Sequence, residues 1–377
     1  MSGQPEGWEG RVAFITGAVT GIGLGTAQAF ADAGVKLALS YRNEDDRDTT
    51  AAWFEAKGYE QPLFCKLDVT DRARFAEVAD EVVDRFGEVH VLVNNAGVSV
   101  FGPTDEASYD DYDWIMGVNF GGVVNGLVSF LPKIKASEGR RHVTNVASMA
   151  AFLPGPQAGI YTASKFAVRG LTESLRYNLA PHGIGCSLCC PALTRTNAWK
   201  SATKRPDSFG DSGFAPAREG ELEQFGTAFE EGMDPYEVGT KILRGMTNQD
   251  GLILTHPEHG PDFEEAHEKL MAALPDEEAP AGRLRIEQLR RDAMKAAEEG
   301  ISVQLDHLTR TRPDSSSESA QRVRQSAPAA STKHRAGSAR DHRLRPDLLF
   351  RAGGISTNGS RTLSYTPANH QNVAPSP

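Results

Sequence analysis

The sequence predicts an α/β protein built on a doubly wound parallel sheet of about seven strands, followed by a helical extension and a disordered tail. Three observations carry this. From residue 11 to residue 255, short apolar runs alternate with stretches of helical period, an order that places strand, covering helix and next strand in one sheet. The runs are apolar almost without interruption, as strands buried on both faces are. Beyond residue 312 the chain turns to Ser, Ala, Pro and Arg without a periodic apolar face, and such a composition cannot supply a core.

The strands are expected, in order, at residues 11–16 (RVAFIT), 35–40 (VKLALS), 62–68 (PLFCKLD), 90–94 (HVLVN), 141–147 (RHVTNVA), 184–190 (IGCSLCC) and 251–255 (GLILT). The stretches between them, such as IGLGTAQAFADAG after the first strand and RARFAEVADEVVDRFG after the third, place apolar residues one helical turn apart. Past the seventh strand, HPEHGPDFEEAHEKLMAALP and RLRIEQLRRDAMKAAEEG read as two further helices. One domain over residues 1–312 is therefore expected, with a core of 10–255, a helical extension of 256–312 and a disordered tail of 313–377.

Charge is uneven along the chain. The whole carries a net −10, yet residues 313–377 hold nine Lys/Arg against four Asp/Glu, which leaves −15 on residues 1–312. An acidic body lacks the clustered positive charge that nucleic acid demands, so no nucleic-acid partner is expected. No apolar run is read as a membrane span, so no membrane partner is expected either. The N-terminal MSGQPEGWEGR has neither the basic nor the apolar region of a secretory signal, which makes the cytoplasm the expected location. Cys65, Cys186, Cys189 and Cys190 fall in strand-like runs as small hydrophobes, and His256 and His259 near Glu258 lack a well-spaced further ligand. No metal is expected.

The first strand runs directly into TGAVTGIG, residues 16–23. Glycines at 17, 21 and 23 allow a tight turn that brings backbone N–H groups and a helix N-terminus up to a diphosphate. Asp68 ends the third strand, where a carboxylate can accept from an adenine amine, and NNAG (residues 94–97) ends the fourth, on the same rim. Further along, Tyr161 and Lys165 in YTASKFAVRG stand one helical turn apart on one face. A tyrosine is a poor base at neutrality, and lowering it by about three pH units takes roughly 4 kcal/mol. A neighbouring ammonium can supply that, so the pair reads as a proton-transfer device rather than as surface residues.

TGxxxGxG, NNAG, Asn119 in GVNFGG, Ser148 in NVASMAAF, the Tyr161/Lys165 pair and Pro191 after the sixth strand, in that order, resemble the short-chain dehydrogenase/reductase family over roughly residues 10–255. The resemblance implies a Rossmann-type sheet and a nicotinamide cofactor. It places that cofactor against Gly17, Thr20, Gly21, Ile22, Gly23, Tyr41, Arg42, Asp68, Val69, Asn95, Ala96, Gly97, Tyr161, Lys165, Pro191 and Thr194. It also implies that Ser148 hydrogen-bonds the substrate oxygen, Tyr161 exchanges the proton, Lys165 holds the ribose, and Asn119 anchors a relaying water. A homo-oligomer, dimer or tetramer, follows from the same likeness. Within the family, FGPTDEASYDDYDWIMGVN, PALTRTN and RPDSFGDSGF are similar to bacterial Cα-dehydrogenases that oxidise the benzylic alcohol of lignin β-aryl ethers.

Cofactor choice turns on the end of the second strand. An acid about 20 residues beyond the glycine loop selects NAD; this chain has Tyr41 there, then Arg42, with Glu44, Asp45 and Asp46 opening the next helix. NADP is expected over NAD. Residues 191–234 are expected to form a lid, with Gly210 and Gly213 as hinges and Trp199, Phe209, Phe214, Phe225 and Phe229 as its aromatic lining. The same aromatics can instead pack the lid down or fill a subunit interface. Phe101, Met149, Phe152 and Leu153 are expected on the opposite wall. The expected activity is interconversion of a bulky or aryl secondary alcohol with its ketone. The alternatives are a 3-oxoacyl thioester reductase, for which a −15 body suits an acidic carrier poorly, and a nucleotide-sensing or scaffold protein, against which Asn119, Ser148, Tyr161 and Lys165 argue.

Overall fold

The apolar runs pair as the alternation demands. β1 (Val12–Ile15), β2 (Lys36–Tyr41), β3 (Leu63–Lys66), β4 (Val91–Asn94), β5 (Arg141–Val146), β6 (Ile184–Cys190) and β7 (Leu252–Leu254) form one seven-stranded sheet in the order β3-β2-β1-β4-β5-β6-β7. Every pairing is parallel. The winding reverses between β1 and β4, where strand ends in such sheets open a crevice. The computed structural model describes residues 7–216 and 220–303; the expected boundary at residue 312 and the tail 313–377 lie outside the described residues.

Successive strand residues face opposite sides, and each side has its own core. On one, Phe14 stacks on Phe130 with ring centroids 4.5 Å apart and meets Phe75 edge-on at 6.1 Å, under α3 (Arg72–Phe86) and α5 (Gly122–Ala136). On the other, Ile15, Leu39 and Val93 lie with Phe30 of α1 (Gly21–Asp32), Phe54 of α2 (Glu44–Lys57) and Ile242 of α8 (Pro235–Asn248). Each such side chain contributes roughly 1.5–3 kcal/mol by burial. α1 and α8 cross on glycines: a Cβ on Gly25 would lie 2.2 Å from the Pro235 carbonyl, and one on Gly239 would lie 2.4 Å from Gly25 O.

α4 (Tyr109–Met116) begins at a capping box in which the Ser108 and Asp111 side chains each accept from the other's backbone N–H. A π-helical turn, Gly117–Gly121, joins it to α5. Against the expectation of no apolar run of membrane-span length, the combined run Tyr109–Ala136 has the length and composition to cross a membrane. Half of its apolar window is buried against the protein, and Trp114, Ile115, Phe130 and Ile134 are core residues. Single π turns in α-helices cluster at functional sites, and this one carries Asn119. α6 (Gly159–Leu179) holds Tyr161 and Lys165. The extension supplies α9 (Gly260–Ala272), which buries none of its residues, and α10 (Ala281–Glu298), which buries Ala297 alone.

Candidate active site

The glycine turn leaves its donors open. Gly17 and Gly21 hold φ of +61° and +54°, the left-handed region that side chains resist. Gly17 N donates to Ser40 Oγ at 3.0 Å, while Thr20, the residue before α1, makes no side-chain cap. The first N–H groups of α1 therefore face the crevice without a side-chain acceptor, a fit for a diphosphate. Gly23 stands behind the turn: a Cβ there would lie 2.2 Å from Gly17 O and 2.5 Å from Asn95 Nδ2. That Asn95 amide donates to the Thr16 and Gly17 carbonyls at 2.9 and 3.1 Å, and Thr16 Oγ1 accepts from the Asn95 and Ala96 N–H groups. The two strand ends are thus locked together under a cleft of about 580 Å³.

Thr20, Gly21, Ile22, Tyr41, Arg42, Asp68, Val69, Asn95, Ala96, Gly97, Tyr161 and Lys165 line this cleft with Gly17. At one end the Tyr41 hydroxyl bonds Glu44, whose carboxylate also takes Lys66 at 2.9 Å and Arg47 at 3.2 Å. Arg42 Nη1 stands 3.6 Å from Asp68 Oδ2, both half-exposed, and Asp68 Oδ1 accepts from Thr70 N and Oγ1.

At the other end, the Ser148 and Ser99 hydroxyls approach the Tyr161 phenol closely enough to favour its ionised form. Ser148 Oγ also accepts from Ala150 N at 3.1 Å, which fixes it at the start of a tight turn. Lys165 Nζ lies 5.6 Å from the Tyr161 ring centroid and donates to Val146 O at 3.3 Å. Burial raises the Tyr161 phenol above its ordinary 10, opposed by the Ser148 and Ser99 hydrogen bonds. Burial lowers the Lys165 ammonium to about 8. As pH rises, Lys165 therefore loses its charge before Tyr161 gains one. Both groups are desolvated, and desolvation disfavours each charged form, so Lys165 needs the second positive charge of an oxidised nicotinamide to favour the phenolate.

The short chain dehydrogenase family model matches residues 11–207, and the C alpha-dehydrogenase of a Sphingobium strain is 34% identical over 285 residues, 75% of this chain and 93% of that one. The chain belongs to the short-chain dehydrogenase family. A solved short-chain dehydrogenase from Novosphingobium aromaticivorans is 36% identical with a TM-score of 0.67, over 78% of this chain and 99% of that one. A second, from Burkholderia phymatum in complex with NAD, is 33% identical with a TM-score of 0.65, over 73% and 99%. This short-chain dehydrogenase is an NAD(P)-dependent oxidoreductase of alcohol and ketone substrates, a Cα-dehydrogenase homologue with a Rossmann-like sheet.

Several of the expected site residues stand elsewhere in this short-chain dehydrogenase. Pro191 and Thr194 do not line the cleft: Pro191 O accepts from Met149 N at 2.9 Å, and buried Thr194 donates to Ala192 O at 3.1 Å. His256 fixes this turn, accepting from Ala192 N at Nδ1 and donating to Leu193 O from Nε2. The cleft wall is completed instead by Thr196, Asn197, Ala198, Ser201 and Lys204, which were read as substrate lid. The Asn119 side chain is spent within the protein: Oδ1 accepts from Val98 N at 2.8 Å, and Nδ2 donates to Val98 O and Ser164 Oγ at 3.0 Å. It braces Val98 against Ser164 of α6.

The lid is held, not hinged, at Gly213. A Cβ there would lie 2.1 Å from Glu106 O, so the glycine permits docking. Phe214 fills the space over Gly102, and Trp199 lies against Gly226 of α7 (Glu221–Glu230), so these aromatics pack the lid down. Phe152 is also removed from the site, packed between Arg169 and Phe263 of α9. Phe101 remains beside Tyr161, with centroids 6.2 Å apart, and Phe225 meets Phe101 edge-on at 5.4 Å. Ser99 was missed because a lone serine two residues past NNAG carries no local signal; only the fold sets it on Tyr161.

Proposed function

We propose that this dehydrogenase interconverts a bulky aryl secondary alcohol and its ketone, with NADP(H) preferred over NAD(H). The observation that carries the proposal is the approach of the Ser148 and Ser99 hydroxyls to Tyr161, which with Ser99 and Lys165 lines one end of the cleft. Ser148 and Ser99 hold the substrate oxygen and the phenol in line, and Tyr161 takes or returns the hydroxyl proton. A dinucleotide held by its diphosphate at the glycine turn and by its ribose at Lys165 would supply the hydride acceptor or donor. The phenol reaches a working pKa through the positive charge that an oxidised cofactor adds beside it. Phe101, partly exposed next to Tyr161, and Phe225, partly exposed against Phe101, offer ring faces and edges to an aryl substituent.

The NADP preference rests on the ribose end. Glu44, the acid nearest Tyr41, is engaged by Lys66, Arg47 and the Tyr41 hydroxyl and is not free to accept from ribose hydroxyls, whereas half-exposed Arg42 can fork onto a 2′-phosphate. A second reading, NAD, is favoured by Asp46, which lines the same end. The ratio of kcat/KM for the two cofactors, measured with a panel of aryl alcohols by nicotinamide absorbance, decides between them. NADP preference that reverses in Tyr41→Asp supports the proposal; a wild type that prefers NAD by about tenfold overturns it.

A cytoplasmic homo-oligomer is proposed with it. Leu270, Met271, Leu274, Leu284 and Ile286 stand exposed on and between α9 and α10, and apolar side chains concentrated on one arm suit a subunit contact. Sedimentation of the full chain tests this, a monomer at micromolar concentration being the contrary result.

A further inference from the structure

One carboxylate outside the cleft is engaged more fully than a helix cap requires. Asp111 in the first turn of α4 is wholly buried. Its Oδ2 accepts from Ser108 N at 2.9 Å and Ser108 Oγ at 3.0 Å, completing the cap, and from Gly213 N of the lid at 2.9 Å. Its Oδ1 accepts only from the lid: Arg205 Nη1 at 2.6 Å and Ser212 Oγ at 2.8 Å. Burial works against the charged carboxyl, yet the Ser108, Gly213, Ser212 and Arg205 hydrogen bonds bring it down to about 2.

Arg205 extends the junction. It donates from Nε to Gly210 O at 2.9 Å and from Nη2 to Phe209 O at 2.8 Å, and its guanidinium lies 5.3 Å from the Trp114 ring centroid. The lid tip is therefore wound around one ion pair. Its two ends lead to the reacting tyrosine: Ser201, just before Arg205, accepts from Ser99 N at 3.0 Å, and Phe214, just after Gly213, is pressed onto Gly102. The Ser99 hydroxyl approaches the Tyr161 phenol, and the Phe101 ring lies tilted beside it. The lid base is tied separately, by Met233 N to Leu193 O and Arg195 N to Met233 O.

We propose that Asp111 is a positioning residue that, through Arg205, Ser212 and Gly213, holds the lid tip against residues 99–102 and so sets the affinity for the carbonyl or alcohol substrate. It acts more on the substrate wall than on the cofactor wall: Ser201 and Lys204 of the tip border the cleft, but Thr196 and Asn197 follow the lid base, which is fastened independently. The proposal rests on the reading that Tyr161 faces the substrate. A buried ion pair with this many bonds holds one geometry and loses it when one partner is changed.

The test uses the full chain, with Asp111→Asn and Arg205→Lys. In either amide orientation the asparagine turns an N–H toward the Ser108 and Gly213 donors or toward Arg205 and Ser212. The lysine keeps a charge beside Asp111 but loses the bonds to Gly210 and Phe209, so it reports on the lid if the asparagine variant does not fold. Trypsin cleavage at Lys200 and Lys204, acetophenone affinity by tryptophan quenching, and reduced-cofactor affinity by its own fluorescence are compared with wild type. The expected result is cleavage faster by about tenfold, acetophenone binding weaker by about tenfold, and cofactor binding within about twofold. With turnover, KM for an aryl alcohol rises by a similar factor while kcat holds within about threefold. Equal loss of ketone and cofactor affinity, unchanged ketone affinity, or no acetophenone binding to wild type overturns the proposal. If the wild type binds acetophenone and turns over no alcohol, the functional reading fails, while the cleavage and binding ratios still decide the role of Asp111.

Discussion

His142 lies at the start of the strand that delivers Ser148 to the site, and its burial makes a measurable claim about acid stability. The side chain is 1% exposed. Nε2 is 2.8 Å from Ser187 Oγ, whose own proton goes to Asp250 O, so the ring donates there as the neutral Nε2–H tautomer. Nδ1 is packed over Gly185, 2.2 Å from where a Cβ on that residue would sit. Burial, with Arg140 nearby, lowers the imidazole from its ordinary 6.5 to about 3. The folded protein therefore binds fewer protons than the unfolded chain between about pH 6.5 and 3, and stability falls as pH falls through that window. The loss from this one residue is about 2 kcal/mol between pH 8 and about pH 5, a figure set almost wholly by the unfolded imidazole. His142→Gln keeps an N–H donor for Ser187 and cannot titrate. Urea unfolding followed by tryptophan fluorescence at both pH values should show the wild type losing about 2 kcal/mol more than the variant. His90, also lowered by burial, is present in both and cancels. Equal losses would refute the assignment of His142 as a buried neutral imidazole.

Two other substitutions test the frame and the cleft. Gly25→Ala should destabilise by at least about 2 kcal/mol, because its Cβ meets the backbone of Pro235 and Tyr236 and not a movable side chain; an unchanged melting temperature would contradict the α1–α8 packing. In wild type, reduced-cofactor affinity should weaken as pH rises through about 8, where the Lys165 ammonium is lost, and Lys165→Met should bind about tenfold more weakly with no such inflection. Fluorescence titration across that range reads both, and an inflection that survives in Lys165→Met would assign it elsewhere.

The sheet was legible because its strands are continuous apolar runs and its glycines fall where a strand must turn into a helix. The glycine turn, NNAG and the Tyr161/Lys165 pair converge for the same reason: each sits at the carboxyl end of a strand or on the helix beside it. What escaped the sequence depends on contacts between distant segments. Ser99, Ser201 and Asp111 are unremarkable polar residues until the lid lies on α4 and on the 98–102 segment. The sequence leaves open whether the lid aromatics line a pocket or pack the lid down, and contacts across the fold decide it for Phe214 and Trp199, which lie on Gly102 and Gly226, where missing side chains leave room. The behaviour of Lys165 could not be read from its spacing to Tyr161 either, since spacing reports proximity and not the burial that lowers the ammonium.

The central claim is that Tyr161 moves the proton of an alcohol or ketone held at Ser148 and Ser99, and Tyr161→Phe tests it most directly. A phenyl ring keeps the packing against Phe101 and leaves the glycine turn untouched, so fold and cofactor affinity should match wild type. With kcat measured on an aryl alcohol under conditions where chemistry limits the rate, turnover should fall by at least about 100-fold. Turnover within about tenfold of wild type, with cofactor bound normally, would contradict the account.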